Sequence, residues 1–301
     1  MATAKMTPAA NSNTIPKWKI KKKKRLNRSI GGDIALFIVL LIFGFFSAYP
    51  LIMTTSNAFK SLDEQFVFPP TMIPRNPTFD NFRDLNELIS NSWIPFSRYF
   101  FNTILITVLG TVGHVIIASM CAYPLAKYKF PGSKILFNLV VYSLMFAPQV
   151  TATANYIIIS GLGLIDTIWA LILPVLASSL GLYLMKQFME QIPMELIESA
   201  KIDGASEYRI FFQIVMPLVK PAWLTLVILL FQRLWTNSGG IYIFSEELKP
   251  LSYTLQQIAQ GSIERQGTIA AVSFIMMIVP VAFFILSQSR IVETFSHSGM
   301  K

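Results

Sequence analysis

Five stretches of the chain run from 19 to 31 residues without a single Asp, Glu, Lys or Arg. They extend from Ile34 to Phe59, Tyr99 to Ala126, Ile135 to Ile165, Thr167 to Met185 and Gln266 to Ser289. About 20 mainly apolar residues cross the hydrocarbon core of a bilayer as a helix, and a helix satisfies its own backbone where no water can. A sixth apolar stretch, Val219 to about Trp235, is interrupted by Arg233 but otherwise reads as a helix. The third stretch is longer than one helix needs, and it ends in the polar run Gln149 to Asn155 and a break at Gly161-Leu-Gly163. The expected fold class is an all-α membrane protein with six transmembrane helices. Composition closes the main alternative. Of 301 residues, 53% are apolar and 14% charged, where a soluble domain carries about 25% charged residues. A soluble enzyme is excluded at that point.

Six spans put both termini on one side, and the basic residues indicate which. Segments 1–33, 127–134, 186–220 and 290–301 hold 18 Lys and Arg, against 7 on the opposite side. The positive-inside bias places both termini in the cytoplasm of a multi-pass protein of the cell membrane. The first span is too long for the apolar core of a cleaved signal peptide and is read as a retained helix. Residues 1–33 then form a basic cytoplasmic segment, 60–98 an extracytoplasmic loop, 99–290 a five-helix core and 291–301 a cytoplasmic tail. Eight bases between Lys17 and Arg28 read as a topology anchor facing anionic lipid headgroups, not as a nucleic-acid arm. A lone Cys121 excludes an internal disulfide, and His114 and His297 offer no metal motif.

The loop 186–220 differs from an ordinary connection. Pro193 suits a first helical turn, and Met194 to Ile202 carries apolar residues at helical spacing. Gly204 breaks that helix, and a second amphipathic stretch from Ser206 to Val215 runs into Pro217 at the membrane surface. The expectation is a short helix, a tight turn and a second helix, with Leu196, Ile197 and Ala200 on one side requiring a groove.

The series Glu198-Ser199-Ala200, three residues, Gly204, nine residues, Ile214-Val-Met216-Pro217 resembles the EAA loop of importer-type ABC permeases. Ser199 stands for the family's second alanine and Met216 for its leucine. Around Asn102-Thr103, Ala122-Tyr123, Ala126-Lys127 and Phe130-Pro131-Gly132 the chain is similar to maltose-type sugar permeases, as it is in Gly161 to Thr167 and Phe68 to Phe82. The similarity covers roughly residues 34–290, most closely the smaller, six-span permease of that pair. It implies a type I importer fold and a coupling helix containing Glu198, Ser199, Ala200, Asp203 and Gly204, with Ile214 and Pro217 behind it. It also implies a second homologous permease, a dimer of ATPase subunits holding ATP and Mg, an extracytoplasmic solute-binding protein and an oligosaccharide cargo. Residues 60–98 and 246–265 are the two candidate docking surfaces for the binding protein.

No Gly-Lys-Ser/Thr occurs, so the chain has no phosphate-cradling loop of its own. It is expected to be no enzyme and to hold no cofactor. A gradient-driven transporter would usually place acids inside its spans, and none of the six carries one. An importer of a non-sugar solute stays open, because the EAA loop serves many substrates.

Arg233 is the one formally charged side chain well inside a predicted span. It lies 13 residues past Lys220, a rise of about 20 Å along a helix. Two readings stand. It reaches to the headgroups or pairs with a neighbouring subunit, or it lines the translocation path and contacts solute. Gln232, Trp235 and Asn237 beside it, with Gln149 and Asn155 at the polar end of the third span, are the other candidate pathway residues. Arginine also binds carboxylates bidentately, so the cargo could be neutral or acidic sugar.

Overall fold

A computed structural model of the protein describes residues 30–90, 93–260 and 266–298. The basic segment 1–29 and the end of the tail lie outside them. The described chain divides into two units, one up to Tyr49 and one from Pro50 onward. Every regular element among the described residues is a helix. In chain order they are α1 (Ile30–Ala58), α2 (Leu62–Gln65), α3 (Asp80–Ser90), α4 (Phe96–Lys127), α5 (Ser133–Ser143), α6 (Pro148–Gly161), α7 (Trp169–Leu176) and α8 (Ser179–Glu190). There follow α9 (Met194–Ile202), α10 (Glu207–Ile210), a π turn at Phe211–Val215, α11 (Met216–Leu218), α12 (Lys220–Trp235), a 3-10 turn at Glu246–Leu248, α13 (Leu251–Ala259) and α14 (Gln266–Ser298).

Four of these segments are long and apolar enough to cross a membrane without a sharp break: Gly31–Ala58, Phe96–Lys127, Trp169–Glu190 and Gln266–Ser287. Two bent pairs, α5 with α6 at 111° and Glu207–Leu218 with α12 at 76°, bring the number of candidate spans to six if each pair is taken as one. The third expected span is therefore not one helix. Pro148 sits at the start of α6, and Ala147 before it is extended at φ −66° and ψ 141°, as the residue preceding a proline prefers. The second bend falls at Val219, which ends α11 at φ −92° and ψ 21°. The stretch expected from Ser206 to Val215, running into Pro217, is helical from Glu207 through the π turn to Leu218. Pro217 has no N–H for the carbonyl four residues back, and the wide turn occupies the residues leading to it.

At the centre lies α4, which packs along α7, α8 and α12. Its buried face includes a run of small and polar residues, Thr103, Thr107, Gly110, Thr111 and His114, of the kind that lets membrane helices approach closely. Gly181 of α8 shows how closely. A β-carbon there would lie 1.8 Å from Nε2 of His114, whose Nδ1 is 3.1 Å from the Leu176 carbonyl. Around α4 a core forms from Ile106, Ile172, Met185, Ile210, Leu226 and Leu234, all nearly inaccessible.

The connection between α1 and α3 is built on buried polar groups. Lys60, 1% exposed, donates from Nζ to Asn57 Oδ1 at 2.9 Å and to the Thr71 carbonyl at 2.6 Å. Glu64 accepts from the Arg75 amide at 2.7 Å, and that bond chiefly holds its carboxyl below the usual range, against opposing desolvation. A group whose native pKa is lowered stabilises the fold above its unfolded pKa and loses that contribution as pH falls through the native value. Glu64→Gln, or acidification of the parent below its native Glu64 pKa, is thus expected to lower the protection of the Arg75 and Asn76 amides against exchange, relative to their intrinsic rates at the same pH. Unchanged protection in both would remove Glu64 from the support of this loop.

Candidate functional site

The loop between α8 and α12 folds as an elbow. α9 ends in a C-terminal cap in which the Gly204 amide bonds the Lys201 carbonyl at 3.0 Å and the Ala205 amide bonds the Ala200 carbonyl at 2.9 Å. That paired arrangement needs a left-handed residue at its corner, and Gly204 supplies it at φ +77°. Ser206 then caps α10 by accepting from the Arg209 amide. Ile197 and Ala200 are buried against the protein's own core. The outward surface is different: Glu198, Ser199 and Asp203 are exposed, beside Leu196, Ile202, Tyr208 and Phe212 at 45%, 87%, 75% and 56% exposure. Ile214 packs partly on the core and Pro217 is exposed.

A polar knot braces the elbow against the end of α4. Lys201 pairs with Glu207 at 2.7 Å across the Gly204 turn and donates to the Tyr128 hydroxyl at 2.9 Å. Tyr128 and Tyr123 both donate to Glu207 Oε2, at 2.7 Å and 3.2 Å. The Glu207 bond first, then Tyr128, raises the Lys201 pKa. Lys127 Nζ meets the Ile192 carbonyl at 2.5 Å, fixing the entry to α9. The pairs are partly solvated and screened by water, so the knot sets an angle more than it adds stability. Glu207→Gln is expected to change thermal stability by less than about 1 kcal/mol while lowering the protection of the Gly204 and Ala205 amides against hydrogen exchange. Unaltered protection would leave the knot without a role in holding the elbow.

A separate cleft of about 200 Å³ is lined by Thr151 and Asn155 of α6, Pro174 of α7, Arg233 in the last turn of α12, Asn237 just past it, and Tyr242. Its rim is fastened by Asp166, in the α6–α7 connection. Asp166 Oδ1 accepts the amides of Phe244 and Ser245 at 2.9 Å and 2.7 Å, and Oδ2 accepts the Ser245 hydroxyl. Its own amide donates to the Tyr242 carbonyl at 2.8 Å. The serine hydroxyl foremost, then the two amides, keeps the Asp166 carboxyl below its usual range. Asp166 adopts φ 62°, a left-handed conformation that aspartate tolerates better than most residues.

Residues 114–296 match the family described as the binding-protein-dependent transport system inner membrane component. The chain belongs to that family. It is 30% identical over 275 residues to the galactooligosaccharides transport system permease protein GanQ of Bacillus subtilis (strain 168), covering 88% of this chain and 94% of that one. It is also 30% identical over 239 residues to that organism's polygalacturonan/rhamnogalacturonan transport system permease protein YtcP, covering 78% and 80%. A solved bacterial ABC transporter involved in import of the acidic polysaccharide alginate shares the fold, with TM-score 0.74 and 21% identity over 87% of this chain and 98% of that one.

Of the residues singled out from sequence, the structure gathers Arg233, Asn237 and Asn155 in one cleft and leaves three elsewhere. Trp235 is a core residue of this inner membrane component, 1% exposed. Its Nε1 donates to the Met276 carbonyl at 2.9 Å, and its ring stacks on Phe231. Trp235 neighbours polar residues in sequence, but its position around α12 turns it into the core and out of the pathway. Gln149 and Gln232 are exposed outside the cleft. The apolar side of α9 needs correction too, since Ile197 and Ala200 face inward and only Leu196 of that trio faces out.

Sequence reasoning missed Lys201, Glu207 and Tyr128, which come together only in three dimensions. It also missed what Asn102-Thr103 does. Asn102 donates to the carbonyls of Glu247 and Lys249 at 2.8 Å and 3.1 Å, and Thr103 Oγ1 accepts the Leu251 amide at 2.7 Å. The pair fastens the connection ahead of α13 onto α4. Much of the segment proposed to reach a binding protein is thus packed down, with Leu251 fully buried. Residues 261–265 lie outside the described chain.

Proposed function

We propose that this protein is one of two homologous permease subunits of an ATP-driven importer for oligosaccharides, forming half of the translocation pathway. Its elbow lies in the cytoplasm and couples the pathway to a separate ATPase dimer, and a solute-binding protein delivers cargo on the opposite face. The observation that carries this reading is the elbow itself. A glycine-cornered helical turn projects from a membrane bundle with Leu196, Ile202, Tyr208 and Phe212 uncovered, the kind of amphipathic surface that seats in a partner's groove. The excess of bases on the elbow side, 18 against 7, supports the cytoplasmic assignment. GanQ and YtcP, each named for a saccharide, support the cargo class.

Cross-linking tests it. Cys121 is the sole cysteine, so a Cys121→Ser background carrying Leu196→Cys, Ser199→Cys or Ile202→Cys isolates the elbow. Each is expected to trap the ATPase subunit in the assembled, transport-competent complex. Failure at all three positions would sink the coupling assignment.

A further inference from the structure

Arg233 makes no side-chain hydrogen bond or ion pair with any described residue. The ion pairs found among them use Arg83, Lys186, Lys201 and Lys249. An arginine this far along a membrane helix persists most readily where it faces water or a negative partner, and here it faces a cleft. The opposite wall is suited to a sugar. Thr151 and Asn155 stand one helical turn apart on α6, and Asn155 makes no hydrogen bond to a described residue. Asn237 commits its Oδ1 to the Gly239 amide at 3.0 Å, which leaves its amide N–H groups to donate. Tyr242 closes the end, held in place through Asp166. The space, about 200 Å³, is below the roughly 300–1,000 Å³ of a complete small-molecule site, so it fits one ring of a longer cargo.

We propose that this cleft is an anion subsite in which Arg233 receives the negative group of a charged sugar, either a uronate carboxylate or a sugar phosphate. Its planar fork matches both groups bidentately, and a lysine would supply the charge without the fork. Asn155 and Asn237 then bind ring hydroxyls beside the anion. The inference rests on the importer reading and narrows its substrate class.

The test uses the complete importer, with its ATPase and binding protein, in proteoliposomes, and compares parent, Arg233→Gln and Arg233→Lys. The probes are digalacturonate, a hexose phosphate and neutral galactobiose, with co-purification of all subunits confirming assembly. The parent is expected to take up one of the charged probes, and which one separates carboxylate from phosphate. Arg233→Gln should lower that uptake at least about tenfold more than it lowers any galactobiose uptake, and Arg233→Lys should fall between. Uptake of galactobiose alone by the parent would overturn the subsite and leave the importer intact. Equal loss of charged and neutral cargo in Arg233→Gln, or loss of assembly in both variants, would make Arg233 a subunit contact and also overturn it. No ATP-driven uptake of any probe by an assembled, ATP-hydrolysing parent would take down the oligosaccharide reading, and the subsite with it.

Discussion

Gly204→Val is expected to insert and assemble normally yet lose more than about tenfold of ATP-coupled uptake. The corner of the elbow sits at φ +77°, where an ordinary L-residue costs about 1–2 kcal/mol and a β-branched one more. No atom lies within 4 Å of a β-carbon built there, so crowding has no part in the effect. Strain alone would be relieved by opening the cap formed by Gly204 and Ala205, and α9 would then leave its angle to α10. Gly204→Asn separates the causes, because asparagine tolerates the left-handed region and should keep most of the uptake. Uptake and ATPase activity measured side by side in proteoliposomes decide the matter. Parental uptake in Gly204→Val at equal expression would remove the turn from the coupling mechanism.

Gly181→Ala should produce the larger loss of stability, about 2–3 kcal/mol, in the range of overpacked cores. The added methyl would meet His114 Nε2 at 1.8 Å, and His114 is completely buried and tied to the Leu176 carbonyl. Either the imidazole abandons that carbonyl or α4 and α8 separate. Thermal unfolding in detergent of the single variants and of Gly181→Ala with His114→Ala closes a double-mutant cycle. A strongly compensating interaction is expected, since removing the ring removes the clash. Additive effects would mean that the glycine serves some purpose other than admitting the histidine.

The apolar spans and the elbow were legible in the sequence because each is encoded locally. A charge-free stretch is a property of consecutive residues, and the glycine corner needs only its neighbours and its spacing to Pro217. Breaks within spans were harder to place. Counting charge-free residues cannot distinguish Pro148, which starts a new helix, from Pro174 or Pro280, which lie inside helices. Faces were harder still. Trp235 and Arg233 are two residues apart, yet one is buried among aromatic rings and the other opens on a cleft. Groups that meet across the bundle left no local trace. Tyr128 and Glu207 are 79 residues apart, and Asn102 and Glu247 are 145 apart, so only the packing of α4 brings them together.

The bend at Val219 gives α12 the mechanics of a crank. One end of this rod is jointed to the elbow, and the other carries Arg233. Sixteen residues make a rod about 24 Å long, so a swing of about 10° at the joint would sweep its far end through about 4 Å. That travel exceeds the length of a hydrogen bond, enough to withdraw the guanidinium from a bound anion. A small shift imposed on the elbow by a partner would then alter grip at the far end without deforming the helix between them. Holding and releasing cargo would follow from the stiffness of α12 and the bend at its near end.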